Sequence, residues 1–218
     1  MSYYQPQPTK NRTALWVGLA VLLLILAVGA YLLGRDNSGT AASAGSSTAS
    51  TAPPISWSIV GDDPLPASPV AGPRNTGSGL AKGFTHDTLG AAVAAVNISF
   101  RLASEVGPQV YEPTVREQCF GDVETTLDQI RNSFSNAPPG AAKPSEYWYK
   151  VDSGDPTGDL VLMSIAIKTP QSVARGGYVR LDNTMQWING DWKLQVPTAP
   201  PSVIPSVDGY TLLGRPNV

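Results

Sequence analysis

A chain of 218 residues with 15 Lys+Arg against 17 Asp+Glu carries a formal charge of -2, so no electrostatic excess draws it toward nucleic acid or anionic lipid. One cysteine, Cys119, excludes an intramolecular disulfide and a paired-cysteine metal site, and one histidine, His86, excludes a multi-histidine metal cage. Glycine (21) and proline (20) exceed average use but gather in a stalk, a loop segment and a tail, which leaves one modest foldable domain.

Residues 1–12, MSYYQPQPTKNR, are too short and polar to fold. Residues 13–33, TALWVGLAVLLLILAVGAYLL, are uncharged and long enough to cross a hydrocarbon core of about 30 Å as a helix. Trp16 and Tyr31 stand near its ends, where amphipathic rings prefer the headgroup level. Lys10 and Arg12 precede the run, whereas Arg35 is followed at once by Asp36, so the positive-inside rule orients 1–12 as a cytoplasmic tail. A cleaved signal peptide is the rival, with Ala42-Ser43-Ala44 at cleavage-site spacing. The apolar run is roughly twice the usual length for that, and the small residues lie far beyond its end. The expectation is therefore a single-pass protein of the cell (inner or plasma) membrane with an extracytoplasmic C-terminal domain. Residues 34–54 read as a Gly/Ser/Thr/Ala linker, which as a flexible coil holds the next domain about 25 Å from the bilayer.

Residues 55–87 are too rich in Pro and Gly for a helix and show only a brief alternating strand, Trp57 to Val60, so they are expected as an otherwise irregular strap anchored by Trp57, Leu65 and Phe84. The period then changes. With Asp87 or Thr88 as cap, Leu89, Val93, Val96 and Phe100 fall on one face of a helix over 88–106, ended by Gly107-Pro108. EPTVREQCFG predicts a short second helix with Pro113 in its first turn and Cys119 on it. DVETTLDQIRNSF predicts a third, capped by Asp122, with Val123, Leu127, Ile130 and Phe134 at helical spacing.

From Glu146 the period becomes two. EYWYKV, DLVLMSIAIKT, YVRLDNTMQW and DWKLQV read as strands, with DSGDPTG a turn and PQSVARGG a loop. Asn189-Gly190 suits a two-residue type I′ hairpin, in which both positions need positive φ. Counting outward pairs Ile188 with Asp191, Trp187 with Trp192, Met185 with Leu194 and Asn183 with Val196. That register puts Leu181, Met185, Trp187, Trp192, Leu194 and Val196 on one face and the polar residues on the other, and a one-residue slip would mix them. Helices followed by an antiparallel meander give an α+β plan. The tail, 198–218, is Pro-rich and then apolar at Tyr210, Leu212 and Leu213, which suits either packing on the domain or extended binding to a partner.

Three helical segments before a sheet whose last hairpin reads MQWINGDWKLQV resemble the nuclear-transport-factor-2-like fold, with the domain spanning 88–197. Two families of single-span membrane proteins carry such a domain: the inner-membrane scaffold of type IV secretion and conjugation machines, and membrane proteins associated with mammalian-cell-entry lipid transporters. Trp57 to Ser68 (W-x-x-x-G-x-x-x-L-P-x-S), Gly72-Pro73 and GFTHDTLGAAVAAVN are similar to actinobacterial proteins encoded on conjugative elements, plasmids and phages. The resemblance implies a structural component of a DNA-transfer apparatus that contacts other secretion subunits and itself, with no catalytic, cofactor-binding or metal residue, no cofactor, no small-molecule substrate and no direct nucleic-acid contact. It leaves two alternatives: a lipid-transporter accessory, and a small-molecule isomerase or dehydratase.

The enzyme alternative needs acids facing into the sheet, and the register sends Asp182 and Asp191 to the polar face. Tyr147, Tyr149 and Tyr178 would line a cavity or simply pack. His86 precedes the helix cap and is expected to fix the helix start through a hydrogen bond rather than to act as a base. Asp152, Asp155 and Asp159 lack the spacing and terminal Glu of a calcium loop. The triplet Asn97-Ile98-Ser99 lies within a helix, against glycosylation. Cys119 is expected as a buried thiol.

Overall fold

The computed structural model describes residues 54–133 and 143–217. The expected cytoplasmic tail, the membrane span over 13–33, the linker up to residue 53, and Phe134 lie outside them. Among the described residues no helix is long and apolar enough to cross a membrane.

The brief strand expected at Trp57 to Val60 is present as β1 (Ser56–Val60), but the strap expected to be irregular beyond it turns back as β2 (Asp63–Ala67) to make a hairpin in which Ser58 faces Leu65. Prolines at 64 and 66 do not prevent it, because a two-stranded ribbon leaves the edge of β2 free of ladder bonds. Leu65 and Phe84 reach the core, and Trp57 packs on it.

Helix α1 (Thr88–Arg101) starts where expected: the Asp87 carboxylate accepts the Gly90 N–H at 2.7 Å. Its end is earlier, since Leu102 leaves the helix and Ser104–Val106 forms a separate 3-10 turn. The burial is also broader than one stripe. Every residue from Gly90 to Ile98 is buried, because β2 covers one side and β5, β6 and β7 the other. The alanines permit that double contact, since each keeps the helix narrow enough for two elements to close on it.

Helix α2 (Pro108–Gln118) is longer than expected. Pro108 takes the first-turn place assigned to Pro113, which lies inside the helix instead. Cys119 is not helical: Cys119–Gly121 forms β3, parallel to β7, with Cys119 opposite Leu194. Helix α3 (Val123–Ser133) follows, with the Asp122 carboxylate accepting the Thr125 N–H at 3.2 Å. Val106, Tyr111, Val115 and Leu127 make a small separate cluster among these helices.

The sheet holds β4 (Glu146–Gly154), β5 (Leu160–Lys168), β6 (Tyr178–Ile188), β7 (Asp191–Val196), β8 (Ser202–Ile204) and β9 (Thr211–Gly214). Its order is β3-β7-β6-β5-β4-β9, with β8 beside the start of β6. The loop PQSVARGG contains a one-turn helix, α4 (Pro170–Ala174), closed by reciprocal hydrogen bonds between Thr169 and Ser172. The hairpin register is as counted for Ile188–Asp191, Trp187–Trp192 and Met185–Leu194, and the ladder stops there, short of Asn183. Asn189 (φ 55°) and Gly190 (φ 81°) both take the left-handed values a type I′ turn requires.

The domain is thus a mixed α+β unit in which helices pack on a sheet. Strand β7 does not end it. The tail contributes β8 and β9, and Leu213 joins the main core.

Candidate functional site

The inner face of the sheet is built by alternation from Tyr147, Ile165, Met163, Met185, Trp192 and Leu194, all buried against α1 and β2. Tyr147 stacks on Trp57 at 5.4 Å, meets the edge of Phe100 at 5.7 Å and donates its hydroxyl to the Pro64 carbonyl at 2.8 Å. Burial raises its pKa above the usual tyrosine value. Tyr149 packs on the same core, and burial raises its pKa too. Tyr178 takes the other face, with Lys168 over its ring at 5.9 Å. The three tyrosines weighed as cavity walls are therefore not brought together.

His86 lies flat on Trp187, with centroids 4.1 Å apart, and edge-on to Trp192 at 5.4 Å. Its Nε2 is 2.9 Å from the Gly158 carbonyl oxygen and 3.7 Å from the Asp159 carboxylate. The hydrogen bond expected of it exists, but it ties the strap to the β4–β5 turn rather than to the helix start. Asp159 contributes again through its carbonyl, which accepts the Trp187 N–H at 2.8 Å. Trp192 Nε1 donates to the Thr85 carbonyl at 2.9 Å. The two tryptophans fix the strap.

Asp191 does the same from the polar face. Its carboxylate accepts the Gly83 and Phe84 N–H groups at 2.8 and 3.2 Å. Sequence periodicity assigned it to solvent because alternation says nothing about a distant backbone that comes to meet a side chain.

The acids of the β4–β5 turn disperse. Asp155 binds the Thr157 hydroxyl and N–H, which hold its carboxyl below the usual range, while Asp152 faces Lys150 and Arg180, at 3.5 and 3.6 Å. Among the described residues no group of acids, histidine and cysteine is arranged to hold a metal ion. Cys119 is buried, and that burial pushes its thiol up to about 12, where it has no thiolate to react with at neutral pH.

Sequence reasoning missed two buried polar residues on α1. Asn97 donates to the Pro66 and Val93 carbonyls, at 2.8 and 2.9 Å, so it is an internal clamp between helix and hairpin and not a glycosylation acceptor. Arg101 is buried and gives Nη1 to the Asn97 carbonyl and side chain, at 3.1 and 2.6 Å. Desolvation brings its pKa down to about 10. Both look like ordinary polar helix positions until β2 is laid over them.

What the domain offers to a partner lies outside. A polar groove opens between Lys82, Arg116, Glu117 and the Asn189–Gly190 tip. Another, of about 350 Å3, runs over the outer sheet face past Leu162, Arg180, Asp182, Thr184 and Gln195. Leu160 and Leu162, alternate residues of β5, stay 49% and 41% exposed on that face. Farther along the same strand, Ser164 and Ala166 are fully buried, and Ser164 donates to the hydroxyl of Tyr210 in the tail at 2.8 Å. Tyr210 of the tail thus lies over Ser164 on the outer face, and Thr198 and Ala199 line the groove beside Leu162.

Residues 34–212 match a family described as a domain of unknown function (DUF8175). No curated protein and no solved structure matches the chain.

Proposed function

The chain belongs to this family, and from that premise we propose that it is a structural, membrane-anchored component of a conjugative, type IV secretion-like DNA-transfer apparatus of actinobacterial mobile elements. In this reading residues 13–33 span the inner or plasma membrane, residues 1–12 are cytoplasmic, and a nuclear-transport-factor-2-like domain stands outside on the 34–54 linker. It acts by contact with other secretion subunits and with itself.

The observation that carries the reading is the use of the inner face. Tyr147, Trp192 and Leu194 are buried there against α1, and His86 is stacked on Trp187. These residues serve packing and strap attachment, which leaves the outer grooves and the exposed leucines as the features a partner would meet. The resemblance of Trp57 to Ser68 to proteins of conjugative elements, and of MQWINGDWKLQV to the nuclear-transport-factor-2-like fold, supports the same reading.

Affinity purification of the full chain from membranes, with chemical crosslinking, tests it. Recovery with a conjugation ATPase or other secretion subunits is expected. Recovery with the permease of a mammalian-cell-entry-type lipid transporter would assign the chain to lipid import instead. Recovery as a monomer alone would overturn the scaffold reading.

A further inference from the structure

Asn189-Gly190, at the tip of the β6–β7 hairpin, is the one Asn-Gly pair in the chain. Asparagine is a chemically labile side chain, and its loss begins when the backbone nitrogen of the next residue attacks the side-chain carbonyl carbon. Glycine in that next place leaves the nitrogen unshielded, because it has no Cβ. Both residues are exposed, and a Cβ built on Gly190 would meet nothing within 4 Å. The Gly190 N–H makes no backbone hydrogen bond among the described residues. The other described asparagines fail on one count or another. Asn97 and Asn183 are buried with their amides engaged. Asn75 holds the Gly77 N–H at 2.8 Å and precedes Thr76, Asn132 lies within α3, and Asn217 precedes Val218.

Backbone conformation decides whether the folded hairpin permits the attack. The five-membered imide that forms holds Cβ, Cα and the carbonyl carbon of Asn189 and the Gly190 nitrogen nearly in one plane, which for an L-residue sets ψ at about −120°, the value of the first central residue of a type II′ turn. The same turn type needs φ of about +60° there, and Asn189 already holds φ 55°. Types I′ and II′ differ by a flip of the single peptide unit between the two central residues. That flip takes Gly190 from φ 81° to about −80°. Glycine adopts either sign of φ, and the space around Gly190 is free. Two-residue hairpins favour both turns, so the Ile188–Asp191 pair stays closed throughout.

We propose that Asn189 is a site of spontaneous deamidation in the folded protein, reached through this flip. The Gly190 nitrogen gives up its proton and bonds to Asn189 Cγ, the Cγ–Nδ2 bond breaks, and the side-chain nitrogen takes up a proton and leaves as ammonia. Water then opens the imide. Cleavage of the new bond gives aspartate in the ordinary chain, and cleavage of the original peptide bond gives isoaspartate, with the chain running through Cγ. The net change is one water in and one ammonia out. Either product places a carboxylate on the rim of the groove that Lys82, Arg116 and Lys193 also line. Isoaspartate also adds one backbone carbon to a two-residue loop that adjoins the Ile188–Asp191 and Trp187–Trp192 pairs.

The full chain, held in detergent near neutral pH in water labelled with heavy oxygen, tests this by peptide mapping with fragment-ion localisation. Labelled acid should replace the amide at Asn189 severalfold faster than at Asn75 or Asn132, and an isoaspartate-specific methyltransferase should mark the same peptide. Conversion at Asn189 no faster than at those two would overturn the proposal. The route is tested by changing stability away from the hairpin. Leu127→Ala empties a fully buried site in the small helical cluster, and urea below the unfolding midpoint raises the unfolded fraction with no substitution at all. Both should leave the rate at Asn189 unchanged. A severalfold rise in either would mean that the reaction proceeds from the unfolded chain, and would overturn a site in the folded hairpin.

Discussion

The closing hairpin and the C-terminal tail belong to the same sheet, yet they reach it by different physics. In β6–β7 the turn, the alternation and the pairing are all local, so Asn189-Gly190 and the spacing of Trp187, Trp192 and Leu194 agree before any distant contact forms. In the tail, β8 and β9 are short, separated by Pro205 and a turn at Val207–Tyr210, and each is a strand only because β6 or β4 offers an edge. The strap resembles the tail in this respect: it is held by Asp191, Trp192, Asn97 and Tyr147 reaching to its backbone. Locally specified segments set the register of the sheet, and borrowed segments join it by edge pairing, by anchors such as Leu65, Phe84 and Leu213, and by polar side chains that reach their backbone.

That contrast sets the order of effects. Trp192→Ala should be the most damaging change, since it empties a fully buried site and removes the Thr85 bond and the His86 edge contact together. A loss of about 3–5 kcal/mol is expected from denaturation of the full chain in detergent followed by far-UV circular dichroism. Gly90→Ala should come next, at about 1–3 kcal/mol, because a Cβ there would overlap the Thr85 carbonyl and push the strap off α1. Its signature is specific. Protease cleavage should appear in residues 70–86 while the sheet stays protected, and uniform cleavage instead would mean that strap and sheet open as one.

Gly190→Ala has free space around it, so it probes conformation alone. Holding an L-residue at φ 81° should cost about 1–2 kcal/mol, read as a lower denaturation midpoint with an unchanged slope. A null result would mean that the turn changes type without disturbing the register. Tyr210→Phe should be mildest, about 0.5–1.5 kcal/mol for one hydrogen bond to Ser164. Amide exchange should quicken in β9 and not in β6–β7, and equal quickening in both would erase the distinction between the two regions.

The helix starts at Asp87 and Asp122 and the alternating strands from Glu146 were legible because capping residues and side-chain period act within a few positions. Strand β2, which pairs with the expected β1, was not, since Pro64 and Pro66 argue against a strand unless one edge stays unpaired. Cys119 read as helical because nothing local shows that β7 lies parallel beside it. At the surface, the register already placed Thr184, Gln186 and Gln195 together. That Leu160 and Leu162 stay exposed while Ser164 is buried under Tyr210 depended on where the tail crosses.

The sequence by itself determined the α+β class, the run of strands β4 to β7, and the register and buried face of the last hairpin, because those follow from turn chemistry and from period. Tertiary structure alone decided that α1 is covered on both sides, that β2, β3, β8 and β9 become strands, and that Ser164 is buried on the outer face while Leu160 and Leu162 stay exposed. These depend on contacts between residues far apart in the chain, such as Pro66 with Asn97 or Ser164 with Tyr210, where one partner's pattern carries no trace of the other.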